Sequence, residues 1–166
     1  MKCRSCGKEA LEYSKGRCKS CADKAKITLP QRAKDLSKFL NNYKSDVFIE
    51  TGTFGGRGIL AAYYSGFKQI YTIEVYEPVF RIAKNNVRKY LKHKNYIHLF
   101  LGDSGTILPS IIDKIDSSQT ITYFLDAHYS GRGTGKYNKE VSPLKRELEC
   151  IKQSGRTGDT ILIDDV

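Results

Sequence analysis

The sequence predicts an α/β chain built on a doubly wound, mainly parallel sheet. Three observations carry that expectation. Short apolar runs of strand length recur through residues 46–166, helical stretches separate them, and a glycine or an acid stands where each run ends. Strands that are apolar on both sides need helices over both faces of their sheet. Right-handed crossovers then give the strand order 3-2-1-4-5.

Taken in order, residues 27–45 read as a linker and an entry helix. Pro30 stands near the start of a helical pattern, and Leu36, Phe39, Leu40 and Tyr43 fall at i, i+3, i+4 and i+7, a stripe expected to pack on the α/β domain. DVFIETGT (46–53) is the first strand, followed by a glycine-rich turn and a helix to about Ser65. QIYTIEV (69–75) is the second strand, and Pro78 opens a helix reaching about Leu91. IHLFLGD (97–103) is the third strand, with a helix over roughly 105–115; ITYFLDA (121–127) is the fourth. A loop rich in glycine and lysine (130–140) leads to a helix near 143–153, and TILIDDV (160–166) is the fifth strand.

The first 26 residues have a different character. They hold eight Lys/Arg against three Asp/Glu, about half of the excess behind the formal charge of +10. Cys3-x2-Cys6 and Cys18-x2-Cys21 have the spacing of a tetrahedral zinc site. So short a segment buries too little surface to fold unaided, so bound zinc would supply its folding energy. Four thiolates close the shell, which makes this zinc structural. Residues 1–26 are therefore expected to form a zinc-ribbon-like module, and residues 46–166 a separate α/β domain. Cys150, alone in a helical stretch, reads as a half-buried apolar residue.

No apolar run approaches the roughly 18–20 residues that cross a bilayer, and the charged N-terminus lacks the apolar stretch of a signal peptide. These features point to a soluble, cytoplasmic protein with no membrane partner. The basic N-terminal stretch would attract phosphate-rich partners such as nucleic acid.

In a doubly wound sheet, ligands bind at the carboxyl ends of the strands beside the point where strand order reverses. The first strand there ends Glu50-Thr51-Gly52-Thr53-Phe54-Gly55-Gly56. The glycines suit a tight turn with a ligand close to the backbone. Glu50 would repel a pyrophosphate and favour a ligand carrying an ammonium or sulfonium. Glu74, at the end of the second strand, is placed to accept hydrogen bonds from both hydroxyls of a ribose. Val75 and Tyr76, just beyond it, are placed to flank an adenine ring. Gly102-Asp103-Ser104 ends the third strand, where an aspartate can accept the exocyclic amine of adenine. Any one of these acids has an ordinary reading as a helix cap or solvated turn; three at successive strand ends do not.

This constellation resembles the class I S-adenosylmethionine-dependent methyltransferases over residues 46–166. ETGTFGG is similar to the family's first motif, with Glu50, Gly52 and Gly56 at matching places, Thr53 between them and Phe54 where many members have glycine. IEVYEP and LGDS are similar to its second and third signature regions, the latter ending in Ser104. The resemblance implies S-adenosylmethionine as cofactor, with Glu74 on the ribose and Asp103 on the adenine.

Asp126 ends the fourth strand in FLDAHYS, and Asp164-Asp165 end the fifth. Clustered carboxylates repel one another unless a cation joins them, and oxygen ligands suit Mg²⁺ or Ca²⁺. The arrangement resembles metal-dependent O-methyltransferases of the catechol and macrolide-sugar types. The resemblance implies Mg²⁺ on Asp126, Asp164 and Asp165, with transfer to an oxygen of a small hydroxylated or sugar substrate. The catechol enzymes carry a lysine three residues beyond the strand-four aspartate. Tyr129 stands there in this sequence, which leaves His128 as the candidate general base beside Asp126.

Alternative readings remain open. The basic module could direct methylation to RNA, although the Asn/Asp-Pro-Pro-Tyr-type motif of base methyltransferases is missing after strand four. The core could instead serve as a non-catalytic scaffold binding an adenosyl compound or nucleic acid. The chain stops at Val166, so the family's closing helix and antiparallel pair are expected to be absent. Either the chain is a fragment, or another subunit covers the open edge of strand five.

Overall fold

The computed structural model describes residues 31–91, 96–129 and 141–164, and the backbone of residues 13–14 and 17–18. Five parallel strands form one sheet: β1 (Val47–Thr51), β2 (Gln69–Glu74), β3 (Ile97–Leu101), β4 (Ile121–Leu125) and β5 (Thr160–Ile163). Their order is β3-β2-β1-β4-β5, with every neighbouring pair parallel, the order expected from the sequence. Among the described residues five α-helices accompany them, α1 (Gln31–Leu40), α2 (Arg57–Ser65), α3 (Glu77–Leu91), α4 (Ser104–Ile112) and α5 (Leu144–Gln153), with a 3-10 turn at Asn41–Tyr43.

Every residue of β1 and of β4 is buried, because both strands are central and covered on both faces. Alternation along the strands divides the core in two. Phe48 and Phe124 point to one side, where they meet Ala33 and Leu40 of α1, Ile59 and Leu60 of α2, and Val87 and Leu91 of α3. Val47, Ile49, Tyr123 and Leu125 point to the other, against Leu108 and Ile111 of α4 and Ile151 of α5. Each large side chain buried in this way is worth about 1.5–3 kcal/mol. The edge strands β3 and β5 are only partly covered.

The stripe predicted for the entry helix is met in part: Leu36 and Leu40 pack on the core, and Phe39 and Tyr43 turn outward. Ala33, Ser37 and Leu40 are the buried positions of α1, whereas Phe39 is 43% exposed and Tyr43 39%. Phe39 and Tyr43 pack on each other, with ring centroids 5.0 Å apart. Ser37 takes an inward position because its hydroxyl pairs with that of Ser65 on α2 at 3.0 Å, which satisfies both groups where α1 crosses α2.

At the N-terminus, Tyr13–Ser14 and Arg17–Cys18 form a two-residue antiparallel ladder. Cys3, Cys6 and Cys21 lie outside the described residues, and Cys18 is described only in its backbone. No described helix is long and apolar enough to cross a membrane. Cys150 is half-buried with its thiol toward the carbonyl of Gly105 at 3.6 Å.

Candidate active site

The carboxyl ends of β1, β2 and β4 open into one cavity of about 570 Å³, which the segments following β3 and β5 also line. Its lining includes the strand-end residues Glu50, Gly52, Thr53, Glu74, Val75, Asp103 and Ser104, together with Asp126, His128 and Asp164. Topology causes this convergence: β1 and β4 are neighbours whose connections run to opposite faces of the sheet, so the cavity lies at the carboxyl ends where the strand order reverses.

Gly52 is required twice over. Its φ is +82°, and a Cβ there would stand 2.3 Å from the carbonyl oxygen of Asp126. Backbone bonds tie this turn to both neighbouring strands: the Asp126 N–H donates to the Thr51 carbonyl at 3.0 Å on the β4 side, and the Gly52 N–H to the Ile73 carbonyl of β2 at 2.9 Å. Gly56 is not in the cavity wall; it caps α2 and packs on Ala83.

Glu50 is 2% exposed and its carboxyl lies against the first turn of α2, where a Cβ on Gly58 would fall 1.6 Å from Oε1. Thr72 donates to Oε2 at 2.7 Å. Burial pushes its pKa from the 4.5 of an ordinary glutamate up to about 8, opposed by the Thr72 bond and reinforced by the negative charges of Asp126 and Glu74. Two backbone N–H groups hold Glu74: Phe54 donates to Oε2 and Tyr76 to Oε1, both at 2.9 Å. Each Glu74 oxygen keeps a further acceptor position, so the group can still take two donors from a ligand. The Thr53 hydroxyl pairs with that of Thr72.

Asp103 and Ser104 line the cavity but are engaged elsewhere. Arg146 donates through both terminal nitrogens to the two Asp103 oxygens at 2.8 Å, and Thr106 donates to Oδ2 at 2.7 Å. The Arg146 bonds hold the Asp103 carboxyl below the usual aspartate range. Ser104 donates to Glu147, a residue 1% exposed whose pKa burial raises. The adenine contact expected of Asp103 would therefore share a carboxylate that is already clamped.

Asp126 and His128 stand together, with Nδ1 of His128 3.4 Å from Oδ1 of Asp126. Asp164 continues the wall, its N–H donating to the Leu125 carbonyl at 3.1 Å. Asp165 lies outside the described residues, and among those residues no group of three or more His, Cys, Asp or Glu side chains is arranged to hold a metal ion.

Several wall residues carry little signal in the sequence. Arg32 and Leu36 come from α1, and Arg57 and Gly58 from the first turn of α2. Phe54 has a φ of +46°, the left-handed conformation that a glycine would take at no cost. The hydrogen bond from its N–H to Glu74 helps to hold it there, and its ring, 47% exposed, lies under the Arg57 guanidinium at 5.8 Å. The aromatic residue in a glycine's place is the one hint of this arrangement in the sequence.

No family model matches the sequence, and no curated protein matches it significantly. The fold is similar to solved methyltransferase structures. An S-adenosylhomocysteine-bound methyltransferase of Podospora anserina aligns at 18% identity over 86% of this chain and 55% of its own, with a TM-score of 0.58. The O-methyltransferase TomG of Streptomyces achromogenes, involved in tomaymycin synthesis and solved with S-adenosylmethionine, aligns at 15% identity over 84% and 57%, with a TM-score of 0.58. A putative caffeoyl-CoA O-methyltransferase of Staphylococcus aureus aligns at 17% identity over 87% and 62%, with a TM-score of 0.54. The described core thus has the Rossmann-like fold of these enzymes, and the chain spans 55–62% of the length of these three.

Proposed function

We propose that this chain is an S-adenosylmethionine-dependent methyltransferase acting on an oxygen of a small hydroxylated or sugar substrate. One observation carries the reading: acids from three successive strand ends, Glu50, Glu74 and Asp103, border a single cavity of ligand size. The cofactor, when bound, supplies an activated methyl group on a sulfonium. Glu74, its carboxylate fixed by two backbone N–H groups, accepts the ribose hydroxyls. Glu50, buried beside α2, faces the cationic amino-acid end. Val75 flanks the adenine, and Asp103 meets its amine with what acceptor capacity Arg146 and Thr106 leave.

The acceptor lies on the Asp126 side of the cavity. Asp126 orients the attacking hydroxyl, and His128 beside it takes the proton as the oxygen attacks the methyl carbon in line with the departing sulfur. Asp126 and Asp164, with Asp165, would hold a divalent ion such as Mg²⁺, which would lower the hydroxyl pKa. Zinc on Cys3, Cys6, Cys18 and Cys21 would fold residues 1–26 as a separate basic module ahead of the domain.

The test is calorimetry with S-adenosylhomocysteine. The expected result is micromolar binding that Glu74→Ala removes without unfolding the protein, and native mass spectrometry should show one zinc per chain. Absence of both heat and thermal shift with S-adenosylhomocysteine and S-adenosylmethionine would end the methyltransferase reading.

A further inference from the structure

We propose that Arg32 and Arg57 form an anion-binding subsite at the mouth of the cavity. It would receive a carboxylate or phosphate of the bound molecule, and this rests on the reading of the cavity as an adenosyl-ligand site. Both residues line the cavity, Arg32 from the first turn of α1 and Arg57 from the first turn of α2. Apart from His128, the other titratable groups in the lining are acids: Glu50, Glu74, Asp103, Asp126 and Asp164. The cavity therefore has acids at the strand ends and cations on the helices.

Neither guanidinium has a carboxylate partner among the described residues, although acids are close by in the same cavity. Three other arginines among the described residues are ion-paired, Arg81 with Glu77, Arg146 with Asp103 and Arg156 with Asp159, while Arg88, also without an acid partner, is exposed on α3 and does not line this cavity. Arg57 is moreover held over the Phe54 ring at 5.8 Å, and Phe54 keeps a left-handed backbone to present that ring. A half-buried cation so held, with no acid against it, has donors to offer a ligand anion, and arginine binds carboxylate or phosphate through a pair of N–H groups. Leu36, one turn beyond Arg32, adds an apolar edge that lowers competition from water.

Two parts of a bound pair could bring the anion: the α-carboxylate of the adenosyl amino acid, or an acidic group on the methyl acceptor. Calorimetry on the full chain separates them. S-adenosylhomocysteine and 5′-methylthioadenosine, which lacks the amino-acid end, are titrated into wild type, Arg57→Ala, Arg32→Ala and Arg57→Lys. Inorganic phosphate is titrated into the same proteins, free and saturated with S-adenosylhomocysteine. Thermal melts accompany each variant, and no loss of folding is expected because neither arginine has an ion pair to break.

If the cofactor brings the anion, each alanine variant binds S-adenosylhomocysteine at least tenfold more weakly, methylthioadenosine is unaffected, and Arg57→Lys recovers part of the loss. If the acceptor brings it, the adenosyl compounds bind all variants alike, while phosphate binds the saturated wild type and not the alanine variants. Unchanged adenosyl affinities together with no arginine-dependent phosphate binding would overturn the subsite. Should wild type bind neither adenosyl compound, the cavity reading fails, and phosphate binding to the free protein still decides whether the arginines form an anion site.

Discussion

At the scale of single residues, Glu50 shows how place governs chemistry. The same carboxyl on a solvated turn would be ionised at neutral pH; here burial lifts its pKa to about 8. A folded-state pKa above the unfolded 4.5 means that Glu50's contribution to stability is complete below about 4.5 and is lost as the pH rises through about 8. A cationic ligand does the opposite, because it favours the ionised form. Affinity for S-adenosylmethionine should therefore rise between pH 6 and 8, by at most about tenfold per unit, and level off above. Glu50→Gln should bind weakly with no such rise, and without ligand its melting temperature should gain on wild type as the pH goes from 5 to 9. Equal slopes for the two proteins would mean that Glu50 is not the titrating group. The acid itself was legible because it precedes a glycine turn; its protonation was not, since that depends on how closely α2 covers it. Phe54 makes the complementary point: its identity was visible, and the positive φ that aims its ring at Arg57 was not.

At the scale of elements, the strands were legible and the helix contacts were not. A strand buried on both faces shows as a short apolar run, which gave β1 and β4 to within two residues at each end. An amphipathic helix shows only a period, and α1 turns a face that includes the polar Ser37 inward because Ser65 awaits it. The clamp between the start of α4 and the start of α5 left no trace in the sequence, because its partners are 43 residues apart. Two consecutive residues, Asp103 and Ser104, bind two others, Arg146 and Glu147, so the first turn of α5 is fixed beside the cavity that Val141 and Pro143 line. Arg146→Ala should cost about 1–2 kcal/mol in urea unfolding, between the ranges for exposed and for fully buried pairs because Arg146 keeps a third of its surface exposed. The Asp103 pKa is lowered, so the advantage of wild type holds above the ordinary 3.8 and disappears as the pH falls through the folded value. A difference that persists unchanged well below that point would assign the loss to packing of the arginine stem instead.

At the scale of the whole molecule, strand order places the candidate site, and right-handed crossovers narrow that order to a few doubly wound arrangements, of which 3-2-1-4-5 is the one observed. The same topology leaves β5 at an edge, hydrogen-bonded among the described residues only to β4. Along β5 the alternation is plain: Leu162 packs toward Phe48 and Phe124, while Ile161 and Ile163 are 41% and 40% exposed on the opposite face. An exposed strand with unpaired backbone groups and two isoleucines on one face is a template for another strand, and proteins guard such edges with charge. Lys145, Glu149 and Lys152 are on neighbouring α5, but β5 itself has no charge between Thr160 and Ile163. A polypeptide of residues 1–166 should therefore self-associate through β5 as its concentration rises. In light scattering coupled to size exclusion, Ile161→Lys with Ile163→Lys should shift the population to monomer. Because both side chains are already half in water, the double variant should keep the wild-type melting temperature to within a few degrees, and it should bind S-adenosylhomocysteine as wild type does. A wild-type chain that stays monomeric across the whole range would show that this edge does not recruit a second copy.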